Sequence, residues 1–250
     1  AIEDWILKHK DDVASWFQTI SFFDAYISLG YYAFNHQGHA FPKLMSSGCT
    51  IKAEQCAHPL LHPSVAVAND FKISNDEFYV ITGANMAGKS TFLRTIGLQI
   101  VMANTGLPVC ATLMEYRPIK LVTSMRTSDS LTDDESYFFS ELKRLKFIID
   151  KVKNNPHFII LDEILKGTNS TDKAEGSRKF LEKLVGLKSS GIIATHDLSL
   201  CEVAKTMDKV KNHFFDAQIK QDELYFDYKF KEGICQNMNA SFLLRKMDIV

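Results

Sequence analysis

Over residues 2–35 apolar side chains recur every three to four positions: Ile2, Trp5 and Ile6, then Val13, Phe17 and Ile20, then Phe23 and Ile27, with charges between them. That spacing predicts two helices. From Phe41 to Ile73 the rhythm breaks into prolines, glycines and short β-branched runs, which predicts short strands and loops. Three later apolar runs, "EFYVIT" (77–82), "HFIILDE" (157–163) and "GIIATH" (191–196), have the continuous character of buried strands. Helical patterns lie between them. "KSTFLRTIGLQIVMANTG" (89–106) ends at Gly106 with Pro108 just beyond. "FFSELKRLKFIIDKVK" (138–153) puts Phe138, Leu142, Leu145, Ile149 and Val152 on one face, and "TDKAEGSRKFLEKLVGL" (171–187) leads to the last strand. The alternation predicts an α/β fold with a mainly parallel sheet flanked by helices. "HFFDAQIKQDELYFDYKF" (213–230) alternates as a hairpin would, and "NASFLLRKM" (239–247) suggests a short closing helix. The expected organisation is a helical segment at 1–45 and an α/β domain at 46–250. The chain starts at Ala1 inside an amphipathic pattern and is expected to belong to something longer.

Composition narrows the partners. A net charge of -1 with 24% charged residues gives no overall electrostatic reason for a dedicated nucleic-acid or membrane surface. The basic helix at 138–153 has acids interleaved and reads as a solvated face. Five scattered cysteines without a Cys-x-x-Cys pair read as reduced thiols, so a cytoplasmic location is expected. No apolar run is long enough to span a bilayer. The histidines and cysteines between His36 and His62 match no common zinc-finger spacing.

The chemistry concentrates in "TGANMAGKST" (82–91), where Gly83 and Gly88 bracket four residues ahead of Lys89, Ser90 and Thr91. This is the pattern of a phosphate-binding loop: glycines let successive backbone N–H groups curl around a phosphate, and the following helix points its positive end at the anion. Lys89 would reach the β- and γ-phosphates of a nucleotide and the Ser90 hydroxyl would ligate Mg²⁺. "FIILDE" then supplies Asp162 as a second anchor for the metal and Glu163 to polarise an attacking water. An acid at a strand end also serves as a turn or helix cap. The third strand ends at His196, within reach of a γ-phosphate in such a fold.

With its Asn-Met inside the loop, "TGANMAGKST" resembles the phosphate loop of the MutS family of DNA mismatch-repair ATPases, itself similar to ABC-type ATPases. "AHPLL", "GLPVCA", "SDSLTDDESYFFSEL", "FIILDEILKGTNSTD" and "IIATHD" follow the family's order, and the resemblance covers about residues 20–245. It implies a Mg-dependent ATPase module that dimerises through composite ATP sites, a homodimer when ATP is bound. DNA contact would lie in regions outside this chain, with no membrane contact. By the same resemblance His196 is a sensor histidine and Asn85 faces the phosphates. Val67 to Asn69 hold the adenine, Tyr228 sits near the base, and Ser136 touches the γ-phosphate of the opposite subunit. Asp134 and Glu135 stand where the family has Gly-Arg, which adds negative charge beside that phosphate. Ala84, Ala87, Leu165 and Ala240 replace residues that are usually Pro or Gly, while Gly83, Gly88 and Gly167 are kept. Nothing in the chain resembles the family's mismatch-reading domain. Two other readings stay open: a nucleotide-gated dimerisation module with little turnover, and a P-loop small-molecule kinase, which would need an acceptor pocket and an arginine-bearing lid.

Overall fold

A computed structural model describes residues 2–125, 137–220 and 223–236. Its centre is a six-stranded sheet built from β4 (Phe78–Gly83), β6 (Lys120–Ser124), β7 (His157–Asp162), β8 (Ser190–Ala194), β9 (Val210–Phe215) and β12 (Phe230–Glu232). Across the sheet the order is β12-β9-β4-β8-β7-β6. The four pairs from β9 to β6 are parallel and the β12 edge is antiparallel. A second sheet is mixed as well: β1 (Lys43–Leu44), β5 (Leu113–Tyr116), β2 (Ile51–Cys56) and β3 (Asn69–Ile73) pair in that order, parallel at β1-β5 and antiparallel elsewhere. The molecule is therefore α/β with mixed sheets. One parallel sheet is too simple a description.

Each central strand is buried on both faces, which is why its sequence shows no polar alternation. Tyr79 and Ile81 of β4, with Phe158 and Ile160 of β7, point to a core shared with α3 (Lys89–Asn104) and the second sheet. Their neighbours Phe78, Val80, Ile159 and Leu161 point to a core shared with α4 (Tyr137–Asn154) and α5 (Ser170–Gly186). α3 stops where expected, with Gly106 at φ 76, the left-handed position past a helix end that glycine adopts without strain. In α4 the buried face is Leu145, Ile148, Ile149 and Val152, while Leu142, expected inside, is 39% exposed.

The expected hairpin at 213–230 is present, with more built into it than two arms. Its first part is β9, which adds to the parallel sheet beside β4, and its last residue starts β12, which returns antiparallel to β9. The excursion between them, β10 (Gln218–Lys220) and β11 (Glu223–Tyr225), is a separate two-stranded antiparallel pair. Alternation alone does not distinguish a strand paired with its sequence neighbour from one paired across the molecule. The two leading helices form as predicted, α1 (Ile2–His9) and α2 (Val13–Asn35), and bury no side chain. No helix among the described residues is long and apolar enough to cross a membrane. The short helix expected at 239–247 lies outside the described residues, as does Ala240.

Candidate nucleotide site

Strand order assembles the site. β8 lies between β4 and β7, so the carboxyl ends of three strands come side by side: Ile81 pairs with Ala194, and Ala194 with Asp162. Just past those ends the backbone stays stitched, with Thr195 N–H donating to Ile81 O at 3.0 Å and Glu163 N–H to Ala194 O at 2.9 Å. The loop after β4 thus faces the acids after β7 across the residues after β8.

Gly83 ends β4 at φ 144, where a Cβ would stand 2.5 Å from the Phe215 carbonyl oxygen. Gly88 caps α3 at φ 104, with Tyr228 packed against it: a Cβ there would meet Tyr228 Cδ1 at 3.0 Å. Both positions need glycine for conformation and space. Between them the chain turns through Met86 at φ 67 and enters α3 at Lys89, so the first N–H groups of α3 lack intrahelical partners. Lys89 is buried with its ammonium turned back into the loop, donating to the Gly83 carbonyl at 2.7 Å and the Ala84 carbonyl at 2.9 Å. Burial brings its pKa down to about 8, against the opposing pull of Glu163 and Asp162.

Glu163 sits at φ 52 with both carboxylate oxygens engaged: Oε1 lies 2.8 Å from His196 Nε2 and Oε2 lies 3.0 Å from Lys166 Nζ. The hydrogen bond from His196, aided by Lys166 and opposed by burial, holds this carboxyl well below the usual carboxylate range. Since His196 Nε2 donates to Glu163, it has no lone pair for Lys89; its 3.4 Å approach to Lys89 Nζ brings two donors together. Asp162 is buried at the end of β7 and its Oδ2 has no hydrogen-bond partner among the described residues. An unpaired buried carboxylate oxygen is costly unless a cation meets it, and a hard divalent ion takes such oxygen ligands. The donor set therefore fits Mg²⁺.

A cavity of about 520 Å³ opens above the loop. Asn85, Gly88, Lys89, Ser90, Thr91, Glu163 and His196 line it, as do Val67, Asn69 and Tyr228, together with His58, Leu61 and Val65, to which sequence reasoning assigned no role in the nucleotide site. Asn69 does more than line it. Its amide donates to the Tyr228 carbonyl at 3.0 Å and accepts from Phe230 N–H at 2.8 Å, so it fastens the segment that carries Tyr228. Tyr228 is 42% exposed, at φ 52. Ser136, Asp134 and Glu135 lie outside the described residues. Lys166 was also missed, because nothing in its position three residues past Glu163 marks it as more than a surface charge.

The family model described as MutS domain V matches residues 79–244, which include the loop, both acids, His196 and Tyr228. The chain belongs to the MutS family. It is 31% identical over 201 residues to MutS protein homolog 4 of Homo sapiens, covering 76% of this chain and 21% of that protein. It is 31% identical over 214 residues to DNA mismatch repair protein MSH4 of Arabidopsis thaliana, covering 82% and 26%. With DNA mismatch repair protein MutS of Aquifex pyrophilus the identity is 30% over 240 residues, covering 93% and 27%. The chain thus spans about a quarter of the length of these relatives. The match to MutS domain V runs through Lys89, Glu163 and His196, which lie together at the cavity.

Proposed function

We propose that this chain is a Mg-dependent ATP-binding and hydrolysing module of a MutS-like DNA repair protein, dimerising through composite ATP sites. One observation carries the reading: Lys89, Glu163 and His196 meet at the cavity, beside a glycine-bracketed loop that leads into the amino end of α3, where a phosphate is well received. In this reading Lys89 exchanges its two carbonyl partners for phosphate oxygens, and N–H groups of the loop and of the first turn of α3 receive the β-phosphate. Ser90 and Asp162 would hold Mg²⁺, which when bound supplies charge neutralisation. Glu163 orients the attacking water, and His196, already hydrogen-bonded to it, senses the γ-phosphate. Val67, Asn69 and Tyr228 border the part of the cavity assigned to the base. Contact with DNA is assigned to parts of the relatives outside the quarter that this chain spans.

One observation favours a nucleotide-gated dimerisation module with little turnover: both oxygens of Glu163 already have partners, and a carboxyl held so far down is a weak base. Even so, an ionised carboxylate has about four lone-pair sites, so two donors leave room for a water.

The composite site is tested by mixing. Lys89→Ala and Ser136→Ala homodimers should each be inactive. In the mixed dimer one site combines an intact Lys89 with an intact Ser136, so hydrolysis should reappear on mixing. If Ser136 acts within its own chain, mixing restores nothing.

A further inference from the structure

The loop behind Glu163 is tied to a helix by a single side chain. Glu141, in the second turn of α4, accepts the backbone N–H of Leu165 at 2.6 Å on one oxygen and that of Lys166 at 3.1 Å on the other. Charge-assisted bonds of this kind are the stronger class. They meet a stretch that needs holding, because Glu163 and Leu165 both sit in the left-handed region, at φ 52 and φ 57. The next residue is tied to the same helix by packing. Gly167 lies against the start of α4, where a Cβ would stand 2.9 Å from Phe138 Cβ and 3.3 Å from Phe138 Cα. Three successive loop residues, 165 to 167, are thus fastened to the first two turns of α4. The middle one, Lys166, is also the residue whose ammonium reaches Glu163 Oε2.

We propose that Glu141 is a positioning residue for Glu163: by fixing the Leu165 and Lys166 backbone on α4, it sets where the Glu163 carboxylate stands over the cavity. It does not touch the reacting atoms. Its effect passes through two peptide N–H groups and the Lys166 ammonium, so the placement of the start of α4 governs whether Glu163 can orient a water. The proposal rests on the hydrolytic reading above.

The test measures ATP affinity and single-turnover hydrolysis per bound nucleotide in the 250-residue chain. Glu141→Ala removes both acceptors, Glu141→Gln keeps one, and Gly167→Ala pushes the loop off Phe138 independently. Misplacing a catalytic group by a fraction of an ångström to an ångström costs about tenfold to a hundredfold in rate. Glu141→Ala should lose that much hydrolysis, Glu141→Gln less, and Gly167→Ala should fall with them, while ATP affinity stays within about twofold of wild type in all three. A purely structural role would lower the folded fraction and leave hydrolysis per bound nucleotide unchanged; that result, or an affinity loss in step with the rate, overturns the proposal. Should Glu141→Ala fail to fold, the other two variants decide. If wild type does not hydrolyse bound ATP, the functional reading falls and this proposal with it. If wild type hydrolyses, Glu163→Gln does not, and Glu141→Ala matches wild type, only the positioning role is overturned.

Discussion

His213 packs against both Tyr79 and Phe230, with ring centroids 4.3 and 4.4 Å away, and its Nδ1 has no partner among the described residues. Burial pushes its pKa down to about 4 from 6.5. Between those values the unfolded chain binds a proton that the folded chain refuses. Stability is therefore complete above pH 6.5 and declines as pH falls toward 4. Denaturant unfolding at pH 7 and pH 5 should show wild type losing about 2 kcal/mol that His213→Phe, which keeps the stack, does not lose. Equal losses in the two proteins would place the acid sensitivity elsewhere. Single residues differ in how visible they are in sequence. Lys89 and His196 stand out because a loop motif and a strand end fix their surroundings. Glu141 does not, since its partners are backbone groups 24 and 25 positions away.

Among the elements, β8 decides the geometry, because it sits between the strands that carry the loop and the acids. Its Gly191 permits that closeness: a Cβ would lie 2.4 Å from the Ile159 carbonyl oxygen and 2.8 Å from Phe78 Cε2. Backbone on one side and a buried ring on the other leave little to yield. Gly191→Ala should cost about 3 kcal/mol in denaturant unfolding, the upper range for overpacking a core. Unchanged stability would mean that β7 and β8 are less tightly apposed than described. β4, β7 and β8 were legible as apolar runs and α3 and α5 as periodic stretches with identifiable ends, whereas β6 (Lys120–Ser124), short and half polar, was not. The lateral order of the strands was not legible, because parallel pairing leaves no local mark on sequence: β9 reads as the first arm of a hairpin, which it is with β12, but nothing in it announces β4 as its other neighbour. The second sheet was legible only as short strands, since β2 finds both β3 and the distant β5.

At the scale of the whole molecule, the six-stranded sheet brings three strand ends to one cavity, and the match to MutS domain V takes in the loop, Glu163, His196 and Tyr228 that line it. The proposed function divides the labour in that cavity: Lys89 would hold the nucleotide and Glu163 would act on water. A γ-phosphate release measurement in a single turnover, with ATP and Mg²⁺, compares wild type, Lys89→Ala and Glu163→Gln, each with its bound nucleotide quantified. Lys89→Ala should fail to retain ATP, because the main cation on the β- and γ-phosphates is gone. Glu163→Gln should bind ATP as wild type does and release phosphate at least about a hundredfold more slowly. Equal loss of binding in both variants, or phosphate release by Glu163→Gln at the wild-type rate, would contradict the assignment.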